Sequence, residues 1–285
     1  MKQFNRQYRL SAGIAGGFGF EIGATTEQSP EALHINFGVN KADTEQPCTA
    51  NISVWNLSPA NLAVLNQENC IVALRAGYDN HMPLIFVGGI VYRDTGMDGG
   101  DRATIIEATD GGIELRYTYV SLSYAMPINT RKIIEDVATQ MGVPVTFSYN
   151  AQFFEFANGF SFIGPAGTVL DKAVASSGLM WHIYNGVLQV KMRGDTMNRE
   201  VVLLSPETGL IGIPRRITYA KGPDDIKEQS GWEVEYLMNG AIGIGDFIRL
   251  ESQAVQGYFR MRSVEMNGDN LEGDWLCRAR LIETH

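Results

Sequence analysis

The chain has 285 residues, 45% of them hydrophobic and 10% aromatic, enough apolar material for one large core or two to three small ones. A formal net charge of −9 argues against a sequence-independent nucleic-acid binder, though not against a surface that DNA merely passes. After MKQFNRQYRL comes no apolar run of a secretory signal, and no stretch approaches the ~18 apolar residues of a membrane span, so synthesis and folding in cytosol are expected.

The 31 glycines fall singly between short apolar runs, as turns do. Residues 1–118 read as β throughout: YRLSAG, FEIGA, LHINFGV, TANISVWNL, CIVALRAGY, PLIFVGGIVYR and RATIIEATDG are short runs separated by Gly, Asn, Asp or Pro. Turn signals every eight to twelve residues or so suit an antiparallel barrel or sandwich. One helical candidate interrupts them, in NISVWNLSPANLAVL. There Ile52, Val54 and Asn56 should share one strand face and Ser53, Trp55 and Leu57 the other. Ser58 should cap a helix that opens at Pro59 and repeats apolar residues at Leu62 and Leu65.

The middle of the chain changes period. In INTRKIIEDVATQMGVPV, Thr130 can cap a helix whose apolar stripe is Ile133, Ile134, Val137 and Met141, with Gly142 and Pro144 as the stop. GPAGTVLDKAVASSGLMW repeats the pattern with Val169, Leu170, Ala173 and Val174, stopped at Gly178. WHIYNGVLQV then predicts two strands about a type I′ turn at Asn185-Gly186. From GLIGIPRRITYA onward the chain is β again.

That return resembles the beginning. NISVWNL, CIVALRAGY, IFVGGIVYRDTGMDGGD and RATIIEATD can be laid over WEVEYLM, DFIRLES, VQGYFRMRSVEMNGDN and DWLCRARLIE in the same order of strands and turns. Gly89 and Gly257 open matching strands, and Asp98-Gly99-Gly100-Asp101 matches Asn267-Gly268-Asp269 as a turn. The expectation is a diverged duplication. Residues 1–121 and 210–285 form two similar antiparallel β domains, and residues 122–209 an α+β insert between them.

The chain shows no centre of chemistry. Cys48, Cys70 and Cys277 are far apart and in no CxxC spacing, and read as buried or half-buried thiols. His34, His81, His182 and His285 make no metal-ligand pattern, and His182 reads as a core-edge or surface residue of a strand. In SAGIAGGFGFEIG the position that a dinucleotide loop requires as glycine, after Gly17 and Gly19, is Ile22. Asp94, Asp98 and Asp101 crowd one turn but lack the remaining ligands of a calcium loop. Glu135 and Asp136, like Asp224 and Asp225, read as solvated faces, with Arg131 paired to Glu135 at helical spacing. No catalytic, cofactor-binding or metal residue is expected.

Taken in order, NISVWNLSPANLAVL with VALRAGY and LIFVGGIVYR, then INTRKIIEDVATQMGVPV with GTVLDKAVASSGLMWHIYNGVLQV, then ETGLIGIPRRI with WEVEYLMNGAIGIGDFIRLES and GYFRMRSVEMNGDNLEGDW, resemble the baseplate hub proteins of contractile-tailed phages and related injection machines. The resemblance implies two tail-tube-like β-barrel domains per chain and a homotrimeric ring, located in the virion at the tail baseplate. Such a ring joins a hexameric tail tube, or its terminal adapter, to a trimeric spike. The tape measure protein and wedge components are further neighbours, DNA is met only in passage, and the chain inserts in no membrane. A channel of this kind should expose more Asp, Glu, Asn, Gln, Ser and Thr than Lys or Arg on its inward strands. The chain ends after the second β copy with no lysozyme-like extension, which weighs against cell-wall hydrolysis. The rival readings are a minor tail or tube-type protein without the adapter role and a tail-associated hydrolase.

Overall fold

A computed structural model describes residues 5–14, 17–23, 32–43, 47–79, 81–192, 194–197, 200–219 and 229–283. The described residues sort into two compact units. The first draws on residues up to Asp43, from Cys48 to Thr109 and from Arg199 onward, and the second on Asp110–Asn198.

The first stretch folds as β1 (Arg6–Gly13), β2 (Gly19–Gly23), β3 (Ile35–Ala42), β4 (Thr49–Trp55), α1 (Pro59–Leu65), β5 (Ile71–Tyr78), β6 (Leu84–Asp98) and β7 (Asp101–Thr109). Its strands pair antiparallel in the order β3-β4-β7-β6-β5-β1-β2. Alternation decides the faces: Ile52 and Val54 are fully buried on β4, while Asn51 before them is exposed and Ser53 between them is half-buried. The strand stops at Trp55, sooner than the pattern suggested. Asn56 takes a left-handed φ of 60°, and Leu57 turns into the core instead of continuing the face of Ser53 and Trp55. Ser58 caps α1 as expected, its Oγ accepting from the N–H of Asn61 at 3.2 Å, and Leu65 anchors the helix.

The second unit holds α2 (Gly112–Tyr117), β8 (Tyr119–Tyr124), β9 (Ile128–Asn129), α3 (Thr130–Met141), β10 (Val145–Phe147), β11 (Glu155–Phe156), β12 (Phe160–Pro165), α4 (Ala166–Ala175), β13 (Leu179–Tyr184) and β14 (Val187–Met192). The stripes of α3 and α4 are buried as read and pack with Leu188 and Val190 of β14 in one core. Asn129, not Thr130, caps α3, with its side chain accepting from Arg131 N at 2.8 Å. Thr130 is the first helical residue, and its buried hydroxyl accepts from the N–H of Phe154. Asn185 and Gly186 both have positive φ, 51° and 76°, as a type I′ hairpin requires.

The last stretch folds as β15 (Val201–Leu204), β16 (Leu210–Tyr219), β17 (Gln229–Leu237), β18 (Phe247–Glu251), β19 (Gln256–Asp269) and β20 (Trp275–Glu283). Its order is β16-β17-β20-β19-β18-β15. The α+β unit was expected over 122–209, and contacts gather it over Asp110–Asn198 instead. At one end six residues of α2 precede the expected start. At the other β15 runs parallel to β18 and so joins the last β stretch.

The two β stretches repeat each other in strand order, β3–β7 matching β16–β20 around α1, and β16 departs from β3 by an irregularity between Ile211 and Arg215. β6 pairs β7 with one residue, Val91, bulged between Ile90 and Tyr92, and β19 pairs β20 with Arg262 bulged between Met261 and Ser263. With the bulges superposed, the partners on β5 and β18, on β7 and β20, and on β4 and β17 all fall into step: Ile52 corresponds to Val234 and Val54 to Tyr236. This register corrects the sequence overlay at two points. Gly89 corresponds to Arg260, so Gly257 is three places out, and Asn267-Gly268 lies inside β19 instead of in a turn. The matched acidic residues are Asp98 and Asp269.

At each bulge the long strand leaves one neighbour: β6 parts from β5, and β19 exchanges β18 for β3. β19 pairs β18 over Gln256–Arg260 and β3 over Ser263–Asp269, so both β stretches join in one 13-stranded sheet. At this joint Phe37 lies over Gly268, where an added Cβ would come within 2.2 Å of the ring, and packs edge-on against Trp275. Trp275 Nε1 donates to the Gly77 carbonyl and Tyr78 Oη to that of Trp275, both at 3.2 Å. Arg260 and Asp43 form an ion pair with side chains only 10% and 5% exposed. Among the described residues no pairing closes either stretch on itself, where two barrels were expected.

A carboxylate-rich face of the shared sheet

Strand partners directly opposite each other in an antiparallel ladder lie on the same face, so the registers trace one face across the sheet. The inner face carries the core, including Ile52, Val54, Ile106, Val264, Met266, Ala279 and Val234. The other face is mostly polar, with Tyr92, Ile105 and Ile211 among its exposed apolar residues. It shows Asp94 and Asp98 on β6, Asp101 and Glu107 on β7, Asn51 and Ser53 on β4, and Asn36 and Asn40 on β3. Beyond the joint come Glu265, Asn267 and Asp269 on β19, Arg278 and Arg280 on β20, Glu233 and Glu235 on β17, and Arg215 on β16.

Carboxylates outnumber cations on this face, and the three arginines are already held. Arg278 donates to Glu235 at 2.6 and 2.9 Å, Arg280 donates to Glu233 at 3.3 Å, and Arg215 pairs with the same Glu233. Burial alone would raise the Glu233 carboxyl, but hydrogen bonds and charge from Arg280 and Arg215 outweigh it and hold the group below its ordinary range. Asp269 behaves likewise. Burial is offset by the N–H groups of Glu272 and Leu271 and by the side chains of His34 and Asn36, and its pKa is lowered. What remains is a face with fixed negative charge and hydrogen-bonding amides and hydroxyls, which repels phosphate.

The residues singled out from sequence are dispersed. His34 stacks on Trp55 with ring centroids 4.0 Å apart and reaches Asp269, while His182 is buried on β13. Asp98 accepts from Trp55 Nε1 at 3.0 Å and Asp101 from Asn56 Nδ2 at 2.9 Å, so these acids clamp the β6–β7 hairpin. Arg131 and Glu135 pair at 2.9 Å as expected. They line an open cleft of 510 Å³ in the second unit, where the guanidinium lies over Phe147 and Phe153. The cleft holds one carboxylate, already paired, and no second acid to work with it. Asp136 bonds Tyr124 and Lys132 and is more than a solvated charge. Among the described residues no group of three or more His, Cys, Asp or Glu could hold a metal ion. All three cysteines are buried, and burial raises Cys277 to about 11. Asp224, Asp225, His285 and part of the glycine-rich segment lie outside the described residues.

Sequence reasoning missed Asp110. Only 2% exposed, its carboxylate accepts from the N–H groups of both Asn185 and Gly186, tying the hairpin turn to the start of α2. No local signal marks it, because Asp110 lies 75 residues before the turn that it holds.

A family model described as "Baseplate hub gp41" matches residues 19–259. No curated protein matches the sequence. Among solved structures, the chain is similar to the 43 kDa tail protein of prophage MuSo2 from Shewanella oneidensis, at 8% identity and a TM-score of 0.63, with 98% of each chain covered. It is similar to a tail protein from Neisseria meningitidis MC58, at 11% identity and a TM-score of 0.57, covering 97% of this chain and 96% of that one. It also resembles the E. coli c3393 protein, a type VI secretion component described as structurally similar to the T4 bacteriophage tail proteins gp27 and gp5. Identity there is 8%, the TM-score is 0.61, and 91% and 76% of the two chains are covered.

Proposed function

Because the chain belongs to the Baseplate hub gp41 family, a family of structural phage-tail proteins, we propose that three copies form a ring adapting a hexameric tail tube to a trimeric spike, with the carboxylate-rich face lining the passage for ejected DNA. The observation that carries this reading is the repeat of β3–β7 in β16–β20, with β6 and β19 bulged at corresponding residues. Two equivalent β sets on each of three chains give six similar docking surfaces on a threefold ring, which is what a junction between sixfold and threefold assemblies needs.

On this reading each β set is a tube-like barrel domain, completed by its neighbours in the ring. The tube protein or its terminal adapter docks on one rim and the spike on the other, with tape measure and wedge proteins nearby, in a contractile tail. The polar face suits a conduit: each Lys or Arg held against phosphate would add a counterion-release contribution to binding and slow transit. Its arginines are engaged by Glu233 and Glu235 and leave little free positive charge there.

Light scattering on the full chain, alone and with its tube and spike neighbours, tests the ring. Three copies per particle are expected, and a stable dimer with a twofold interface would contradict it.

A further inference from the structure

The internal repeat leaves two strand edges without the partners that their counterparts have. Within the chain, Ser263–Asp269 of β19 pairs β3, Val264 lying opposite Lys41, Glu265 opposite Asn40, Met266 opposite Val39 and Asn267 opposite Gly38. The counterpart of that half of β19 is Tyr92–Asp98 of β6, beyond its own bulge. This segment pairs β7 on one side and, among the described residues, nothing on the other. The counterpart of β3 is β16, which pairs β17 and likewise ends the sheet. Every residue from Tyr92 to Asp98 is exposed, including Tyr92 at 50% and Met97 at 73%, and on β16 Ile213 is 76% exposed. Long open edges of this kind invite pairing with another chain.

We propose that β6 of one copy pairs antiparallel with β16 of a second copy, repeating between chains the β19–β3 joint seen within the chain; this rests on the ring reading above. The internal joint dictates the register: Arg93 faces Thr218 of the second copy, Asp94 faces Ile217, Thr95 faces Arg216 and Gly96 faces Arg215. The charges agree with it. β6 brings Asp94 and Asp98 to an edge where β16 carries Arg215 and Arg216, which pair within the chain with Glu233 and Glu283 yet keep side chains 74% and 61% exposed to a further carboxylate. Asp94 falls diagonally beside Arg215, within reach of a long side chain. Pairing β6 with β6 would oppose acid to acid, and β16 with β16 arginine to arginine, so the edges select a head-to-tail contact, the kind that closes rings. The polar face then runs unbroken from chain to chain.

Cysteine pairs in assembled tails test the register. One double variant carries Thr95→Cys with Arg216→Cys, and another Gly96→Cys with Arg215→Cys. Adjacent pairs in an antiparallel ladder alternate between wide and close, so one of the two brings Cβ atoms within disulfide reach. Gly96 has open space where a side chain would be added, and the native cysteines are buried. After oxidation and denaturation without reductant, at least one variant should run as covalent multimers up to the ring's copy number and return to single chains with dithiothreitol. Thr95→Cys with Ile217→Cys, which puts the thiols on opposite faces, should stay more than tenfold less cross-linked. Tails that contain the hub ring by electron microscopy but give no cross-link with either pair would overturn the strand pairing and leave the ring standing. Tails whose hub is not a ring of this chain would overturn both.

Discussion

At the residue scale the molecule separates polar groups that hold the fold from those that face solvent. Asp43 and Arg260 are buried together, so Asp43→Ala leaves a guanidinium charge without its partner in a low-dielectric site. The expected loss is about 3–5 kcal/mol, read in urea as a shifted midpoint for the first unit. Arg131→Ala, breaking an exposed helical pair, should cost under about 1 kcal/mol. Asp110→Ala strands two hairpin N–H groups and should destabilise the second unit by about 1–3 kcal/mol. Glu233 and Asp269 have folded-state pKa values below those of the unfolded chain. As pH falls, the unfolded chain takes up their protons first, so their contribution is present above the ordinary carboxylate range and is lost below it. Urea midpoints between pH 7 and pH 3 should fall on acidification, and Glu233→Gln should flatten that fall.

At the element scale, local signals were legible and long-range ones were not. The Ser58-Pro59 start of α1, the stripes of α3 and α4 and the Asn185-Gly186 turn could be read because each is decided by residues within one or two turns of chain. α2 could not, because six residues are too few to show a helical period. The repeat was visible in the order of strands and turns, but its register was not: Gly89 and Gly257 look alike as strand openers, while pairing with β5 and β18 sets them three places apart. Nor does any local pattern announce that β3 pairs with β19, more than two hundred residues away. The carboxylate-rich face was expected only as a property of channels, and its residues emerge from that pairing. The bulges carry a sharp expectation. Deleting Arg262 leaves Met261 opposite Leu281 and Ser263 opposite Arg280 as consecutive pairs, so Val264 and Met266 stay inward; what is lost is the local bend where β19 passes from β18 to β3, and the unfolding midpoint should fall. Deleting Val91 likewise makes the β6–β7 ladder regular, but next to a segment that is exposed from Tyr92 to Asp98, and should change the melting temperature by only a few degrees, as circular dichroism can show.

For the whole molecule, the account is of a sheet shared by two repeats whose outer face is acidic and whose free edges match head to tail. Gly268→Val, which drives a side chain into Phe37, should loosen the joint between repeats and lower both stability and ring assembly in light scattering. The wild-type chain should bind DNA weakly even at low salt, whereas Glu233→Lys with Glu235→Lys should create binding that weakens steeply as salt is added, measured by fluorescence anisotropy. The most direct measurement of the central claim is an electron cryomicroscopy map of the assembled tail. The account expects three copies around the axis, alternating β3–β19 joints within chains and β6–β16 joints between them, with Glu107, Glu265 and Glu235 facing the lumen. A ring in which this face is turned away from the channel, or in which the apolar core face and a belt of free Lys and Arg surround the DNA path, would contradict it.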